Sequence, residues 1–136
     1  MNKERYKTTA KNYYHGVPWE ESFGVSQAYS SDGIVYISGQ FSRDMQGNFV
    51  GEHDIELQTK QTFDNLDRVL TGFNIKRSNL VDLEIFLINP QEDSETLIPI
   101  FKQYMGDIRP AVTMVGTAGL AFSQMLIEIR AIAHVD

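Results

Sequence analysis

Glu128 stands as a lone carboxylate in Leu126-Ile127-Glu128-Ile129-Arg130-Ala131-Ile132-Ala133, an apolar, β-branched run that reads as a buried strand. Burying a carboxylate is costly unless it is paired or hydrogen-bonded. Two causes are open. Glu128 is a reacting group, its basicity raised by partial desolvation, or it is one half of a structural ion pair. Arg130 is the nearest partner in sequence, two residues along and therefore on the same strand face. Upstream, Arg109 precedes Pro110-Ala111-Val112-Thr113-Met114-Val115 and reads as a structural anchor or a charge at the mouth of a cleft. No other residues have the spacing of a familiar centre. His15, His53 and His134 are isolated and show no metal-ligand spacing, so no metal is expected. Gly116-Thr117-Ala118-Gly119 lacks the Lys-Ser/Thr pair of a phosphate loop and reads as a turn or bulge.

The elements that must position Glu128 follow from periodicity. Val25 to Tyr29 and Ile34 to Gly39 flank Ser30-Ser31-Asp32-Gly33, whose Asp-Gly supplies the positive φ of a tight hairpin. A second turn is expected at Asp44 to Asn48. Ile55, Thr59, Thr62, Phe63, Leu66, Val69, Leu70 and Phe73 recur at three- and four-residue steps and predict a helix. Asp54 is its expected N-cap and Gly72 its expected C-terminal glycine. Leu83 to Ile88 reads as a strand stopped by Asn89-Pro90. A second helix follows, with Leu97, Ile100, Phe101, Tyr104 and Met105 on one face and Asp93 or Ser94 as cap. That cap keeps Pro99 near the first turn, where proline is tolerated. Gly106 ends the helix. The last two strands, about Val112 to Ala118 and Met125 to Ala133, are joined at Gly119 by a short turn, and a further short strand is expected near Tyr6 to Thr8. The order is β-β-α-β-α-β-β: one α+β domain over residues 1–136, a mixed sheet with both helices on one face. The other face has no cover, and strands this apolar would leave a patch that a second copy of the chain should close.

Composition limits the functions. A chain of 136 residues with 42% hydrophobic content can build one real core. With no cysteine there is no disulfide framework and no thiol nucleophile. The charged start, Met1-Asn2-Lys3-Glu4-Arg5, carries no signal-like apolar run, and no stretch is long enough to span a membrane, so a soluble cytoplasmic protein is expected. A formal charge of −6 without clustered Lys and Arg argues against nucleic acid as a partner.

Ser26-Gln27-Ala28, Tyr36-Ile37-Ser38-Gly39-Gln40, Gln61 with Asn65-Leu66, Pro110-Ala111, and Ile127-Glu128-Ile129 with Ala131-Ile132-Ala133 occur in an order and spacing that resemble the Rid family. That family is also called YjgF or endoribonuclease L-PSP, and the resemblance runs from about Phe23 to the end. It implies a chorismate-mutase-like fold, a homotrimer, and small-molecule sites in the clefts between subunits, without a cofactor. The implied activity is hydrolysis of reactive enamines and imines, such as 2-aminoacrylate, to a keto acid and ammonia. By position, Ser38 and Gly39 line the cleft, and Glu128 places or activates the attacking water. Three positions depart from the enamine-hydrolysing members. Val112 stands where they carry a carboxylate-clamping arginine, Val25 where they carry a tyrosine, and Ile98 where they carry an asparagine.

Arg109 cannot replace the missing arginine, because strand alternation over three positions sends it to the opposite face. The chain therefore more closely resembles the arginine-lacking branches. The expected substrate-contacting set is Ser38, Gly39, Val25, Val112, Ile98, Thr113 and Trp19, with Glu128 catalytic. The aromatic segment Tyr13-Tyr14-His15-Gly16-Val17-Pro18-Trp19-Glu20, read as a loop, places Tyr14, Trp19 or Phe23 beside the cleft and favours an apolar or aromatic substrate. Three functions are ranked: an imine or enamine deaminase, a non-catalytic small-ligand-binding or regulatory trimer, and a ribonuclease.

Overall fold

The computed structural model describes residues 11–135. The strand expected near Tyr6 to Thr8 lies outside them. Six strands form one sheet in the order β1-β2-β3-β6-β4-β5. They are β1 (Lys11–Tyr13), β2 (Ala28–Ser31), β3 (Ile34–Gln40), β4 (Leu80–Leu87), β5 (Ala111–Gly116) and β6 (Ile127–His134). All neighbours are antiparallel except β4 and β5, which run parallel because α3 (Pro90–Met105) crosses between them. The long helix α2 (Ile55–Gly72) packs beside α3 on the same face, as the order of elements requires.

The β2–β3 hairpin turns on Asp32 and Gly33, both with positive φ (53° and 77°), the geometry that matches the twist of its strands. Along β6, Ile127, Ile129, Ala131 and Ala133 are buried while Glu128 and Ile132 are half-buried and Arg130 and His134 exposed, so alternation separates a helix-covered face from an open one. The covered face joins Val35, Ile37, Leu83, Ile85 and Leu87 to Phe63, Leu66, Val69, Leu70 and Leu97 in one core.

Four local expectations are corrected. Asp54 does cap α2, its side chain accepting from Leu57 N at 3.1 Å, but Gly72 does not supply the left-handed exit. Asn74 does (φ 56°), and Gly72 is small because a Cβ there would run into the Tyr13 ring. The cap of α3 is Asn89, with Pro90 in the first turn, so Pro99 lies inside the helix. Pro99 and Glu95, whose carbonyl loses its i+4 donor, are both exposed, which leaves that carbonyl to solvent. The aromatic segment is not all loop: Pro18–Phe23 forms a short helix, α1, started by Pro18 and ended by left-handed Gly24. The connection between β5 and β6 spans residues 117–126 rather than a short turn.

Candidate active site

The site begins with a bulge. On β3, Ile37 faces Ala131 and Gln40 faces Ile129, so Ser38 and Gly39 together occupy the place opposite Arg130. The extra residue brings Gly39 against the Glu128 side chain. A Cβ on Gly39 would lie 2.6 Å from the Glu128 carboxyl carbon and 2.7 Å from Oε2, so only glycine leaves the carboxylate this position. Glu128 is half-buried on the open face and, among the described residues, has neither a hydrogen bond nor an ion pair. Burial alone pushes its carboxyl above the ordinary value. Arg130 is not its partner. Glu84 stands directly opposite Arg130 across the β4–β6 pair and takes it at 3.6 Å, whereas Glu128 is opposite Phe86. Both members of the Arg130–Glu84 pair are substantially exposed, so it contributes little.

Helix α2 fixes the backbone on both sides of this carboxylate. Gln58 Oε1 accepts from Leu126 N at 2.8 Å, while its Nε2 donates to the carbonyls of Gly51 and Gln124 at 3.0 Å each. Asn65 Nδ2 donates to Phe41 O (2.8 Å) and Arg43 O (2.9 Å), and Gln61 donates to Asn65 Oδ1. The glutamine and asparagine of the sequence pattern are thus clamps on the chain leaving β3.

A second polar chain supports the bulge. Gln40 Nε2 donates to Gln27 Oε1 and to Ser38 O, both at 3.0 Å, leaving its Oε1 to accept from His15 Nε2 at 2.9 Å. His15 Nδ1 then accepts from Tyr13 OH at 3.3 Å. Burial, the largest influence on His15, draws its imidazole below the ordinary value and keeps it in this neutral form. Ser38 is held at both ends, its N–H donating to Gln27 O (2.8 Å) and its Oγ to Ser26 O (2.9 Å).

The remaining expected residues fall into three places. Val25 adjoins Ser38 through Ser26 and lines an open cavity of about 690 Å³ with Tyr14, Glu20 and Ser26. Thr113 is in register with Glu84 and so shares the face of Glu128, two strands away. Val112, in register with buried Leu83, belongs to the opposite, helix-covered side with Ile98 of α3. One protomer therefore brings Ser38, Gly39 and Glu128 together with Val25 alongside, and leaves Val112 and Ile98 across the sheet. Arg109 donates to Gly106 O (2.6 Å) and Ile108 O (2.8 Å), anchoring the turn before β5.

Trp19 does not line the Val25 cavity. It packs against Arg43, whose guanidinium carbon lies 4.9 Å from the Trp19 ring centre, 4.6 Å from Phe122 and 5.6 Å from Phe41. Neither Arg43 nor Phe122 is apparent from the sequence, because the loop carrying Phe122 meets the end of β3 only in three dimensions. Among the described residues, no group of His, Asp and Glu is placed to hold a metal, and no helix is long and apolar enough to cross a membrane.

Residues 21–135 match the family described as Endoribonuclease L-PSP. A RutC family protein of Pyrococcus horikoshii is 27% identical over 111 residues, covering 82% of this chain and 86% of the relative. The 2-iminobutanoate/2-iminopropanoate deaminase of Dermatophagoides farinae is 28% identical over 111 residues, 82% of this chain and 85% of that enzyme. Among solved structures, Rv2704 of Mycobacterium tuberculosis, a member of the YjgF/YER057c/UK114 family, superposes with a TM-score of 0.82 at 22% identity, covering 93% of this chain and 99% of that one. At that identity the likeness establishes the shared fold.

Proposed function

The chain belongs to the Rid family (YjgF/endoribonuclease L-PSP), and from that membership we propose that it hydrolyses small imines or enamines in clefts between the subunits of a homotrimer. The observation that carries this reading is Glu128: a half-buried carboxylate with no partner among the described residues, lying against a glycine that leaves it room. The relative named as an iminobutanoate/iminopropanoate deaminase supports the reaction class.

The chemistry asks little of the protein. Glu128 takes a proton from a water as that water's oxygen bonds to the imine carbon and the C=N electron pair moves to nitrogen. Glu128 returns that proton to the nitrogen, the hydroxyl proton of the resulting carbinolamine follows it to the nitrogen, and the C–N bond breaks to release ammonia and leave a carbonyl. Partial desolvation raises the basicity of the carboxylate toward this task. The acidic limb of the rate profile should accordingly lie above the ordinary carboxylate value.

Subunit closure supports the cleft. β5 is an edge strand exposed along its whole length, with Val112, Met114 and Val115 left 39%, 39% and 37% accessible in the single chain. Such an apolar edge calls for a partner. In this reading the neighbouring copy that closes this edge contributes its own Val112 and Ile98 to the cleft, completing the expected set that one protomer leaves divided across its sheet. Because both are aliphatic, that wall suits an apolar or aromatic substrate portion.

The test is turnover of an imine generated in situ from an amino acid, read as ammonia or keto-acid release. Glu128→Gln should lower kcat by about 10²–10⁴-fold, the range for loss of a general base, while sedimentation still reports the trimer. Unchanged turnover would overturn the assignment.

A further inference from the structure

Gln40 closes a ring around the residue that touches Glu128. Its Nε2 donates back to Ser38 O at 3.0 Å, so the backbone of Gly39 lies inside one hydrogen-bonded loop. Gly39 is the contact: a Cβ there would stand 2.6 Å from the Glu128 carboxyl carbon, 2.7 Å from Oε2 and 2.9 Å from Cγ. A bulge takes its extra residue out of the strand ladder, and between Ile37 and Gln40 that freedom falls on Ser38 and Gly39. Glycine has the widest backbone freedom of any residue type. A bond from outside the ladder must therefore hold this peptide against the carboxylate.

Gln40 is equipped to do so. It is 2% exposed, and its other bonds run inward: Nε2 donates to Gln27 Oε1 at 3.0 Å, and Oε1 accepts from His15 Nε2 at 2.9 Å. Two acceptors fix the amide nitrogen, which turns the oxygen toward His15. The far side of the imidazole is closed by Tyr13 OH at 3.3 Å, with the two rings edge to face at 5.3 Å. Tyr13 in turn lies against Phe73 at the end of α2, 6.0 Å between ring centres. His15 stands ahead of residues 21–135, the span shared with the family, so the outer end of this support comes from sequence outside that span.

We propose that Gln40 is a positioning residue for Glu128: it holds the Ser38–Gly39 peptide against the carboxylate, and His15 holds Gln40. Neither needs to touch substrate. The amide sets where the proton-accepting oxygen stands, by fixing the backbone that limits the Glu128 side chain on the β3 side. The proposal rests on the reading of Glu128 as the reacting group.

The experiment is a double-mutant cycle on the assembled protein, read as kcat and KM for an imine generated in situ. Gln40→Met roughly keeps the volume and removes all three side-chain bonds. It should lower kcat by about tenfold or more with KM unchanged, the pattern of a group displaced at the chemical step. In the Glu128→Gln background the same change should alter turnover less than about twofold, because the group being positioned is gone. Equal fold-losses in the two backgrounds would overturn the proposal, since a purely structural amide weakens both alike. So would an unchanged kcat in Gln40→Met. If Gln40→Met does not fold, His15 carries the test. His15→Leu removes the N–H that Gln40 accepts and should lower kcat, while His15→Gln returns a donor and should recover most of it. Equal turnover of that pair would overturn the proposal. Failure of Glu128→Gln to lower turnover would instead overturn the catalytic reading. The positioning is then read from the carboxyl-carbon signal of Glu128 in ¹³C-glutamate-labelled protein, which should shift in Gln40→Met or His15→Leu; an unmoved signal would overturn it.

Discussion

Glu20 and Glu128 are both withdrawn from solvent, and they are held in opposite ways. Glu20, 4% exposed at the start of α1, accepts three backbone N–H groups: His15 at 2.7 Å, and Gly16 and Val17 at 3.0 Å each. Glu128 is less deeply buried, accepts none among the described residues, and is shifted toward its protonated form by burial alone. The first carboxylate replaces its lost water with fixed donors and ties a segment down. The second has no such donors among the described residues, the condition that the proposed role as a base requires. Burial of a charge thus says little by itself, and the count of donors separates a structural group from a chemical one.

The comparison breaks most visibly if Glu128→Gln leaves turnover near the unmodified level, against the loss expected above. Next is Gly39→Ala. Its Cβ would meet the carboxyl carbon at 2.6 Å, and the flexible end of Glu128 must swing aside. Turnover should fall by about 10²-fold, as for a displacement of about 1 Å at a reacting group, with the melting temperature little changed. Glu20→Ala should do the reverse, costing about 2–3 kcal/mol of stability in denaturant titrations through the donors it orphans, while the protein that remains folded turns over normally. The smallest effect concerns pH. A carboxyl raised in the folded state binds its proton more tightly there than when unfolded. Stability therefore declines as pH rises from the unfolded value through the folded one. Glu128→Gln should flatten that decline and be slightly more stable than the unmodified protein at neutral pH, read as midpoints across pH 4 to 7.

Much of this was legible in the residues. The Asp32-Gly33 hairpin, the apolar stripe of α2 with its Asp54 cap, and the alternation of β6 are local patterns that tertiary packing did not override. The juxtaposition of Ser38-Gly39 with Glu128 came from the family pattern, and the bulge supplies its physical cause. What failed was context. Closeness in sequence makes Arg130 a candidate partner of Glu128, but cross-strand register gives it Glu84. Pro99 drew the expected cap of α3 too far along, since an exposed mid-helix proline is tolerated where solvent can satisfy the freed carbonyl. Arg43 and Phe122 carried no signal, because a cation–π cluster assembled from a strand end, a short helix and a distant loop has no period.

The central claim is that Glu128 is an uncompensated carboxylate kept available for proton transfer. A carboxyl-carbon NMR titration of the ¹³C-glutamate-labelled protein tests it directly, with Glu128 assigned by its loss in Glu128→Gln. The account predicts a midpoint for Glu128 clearly above the ordinary carboxylate value and coincident with the acidic limb of kcat/KM. A midpoint at or below the ordinary value would mean that the carboxylate has found partners, and would contradict the account.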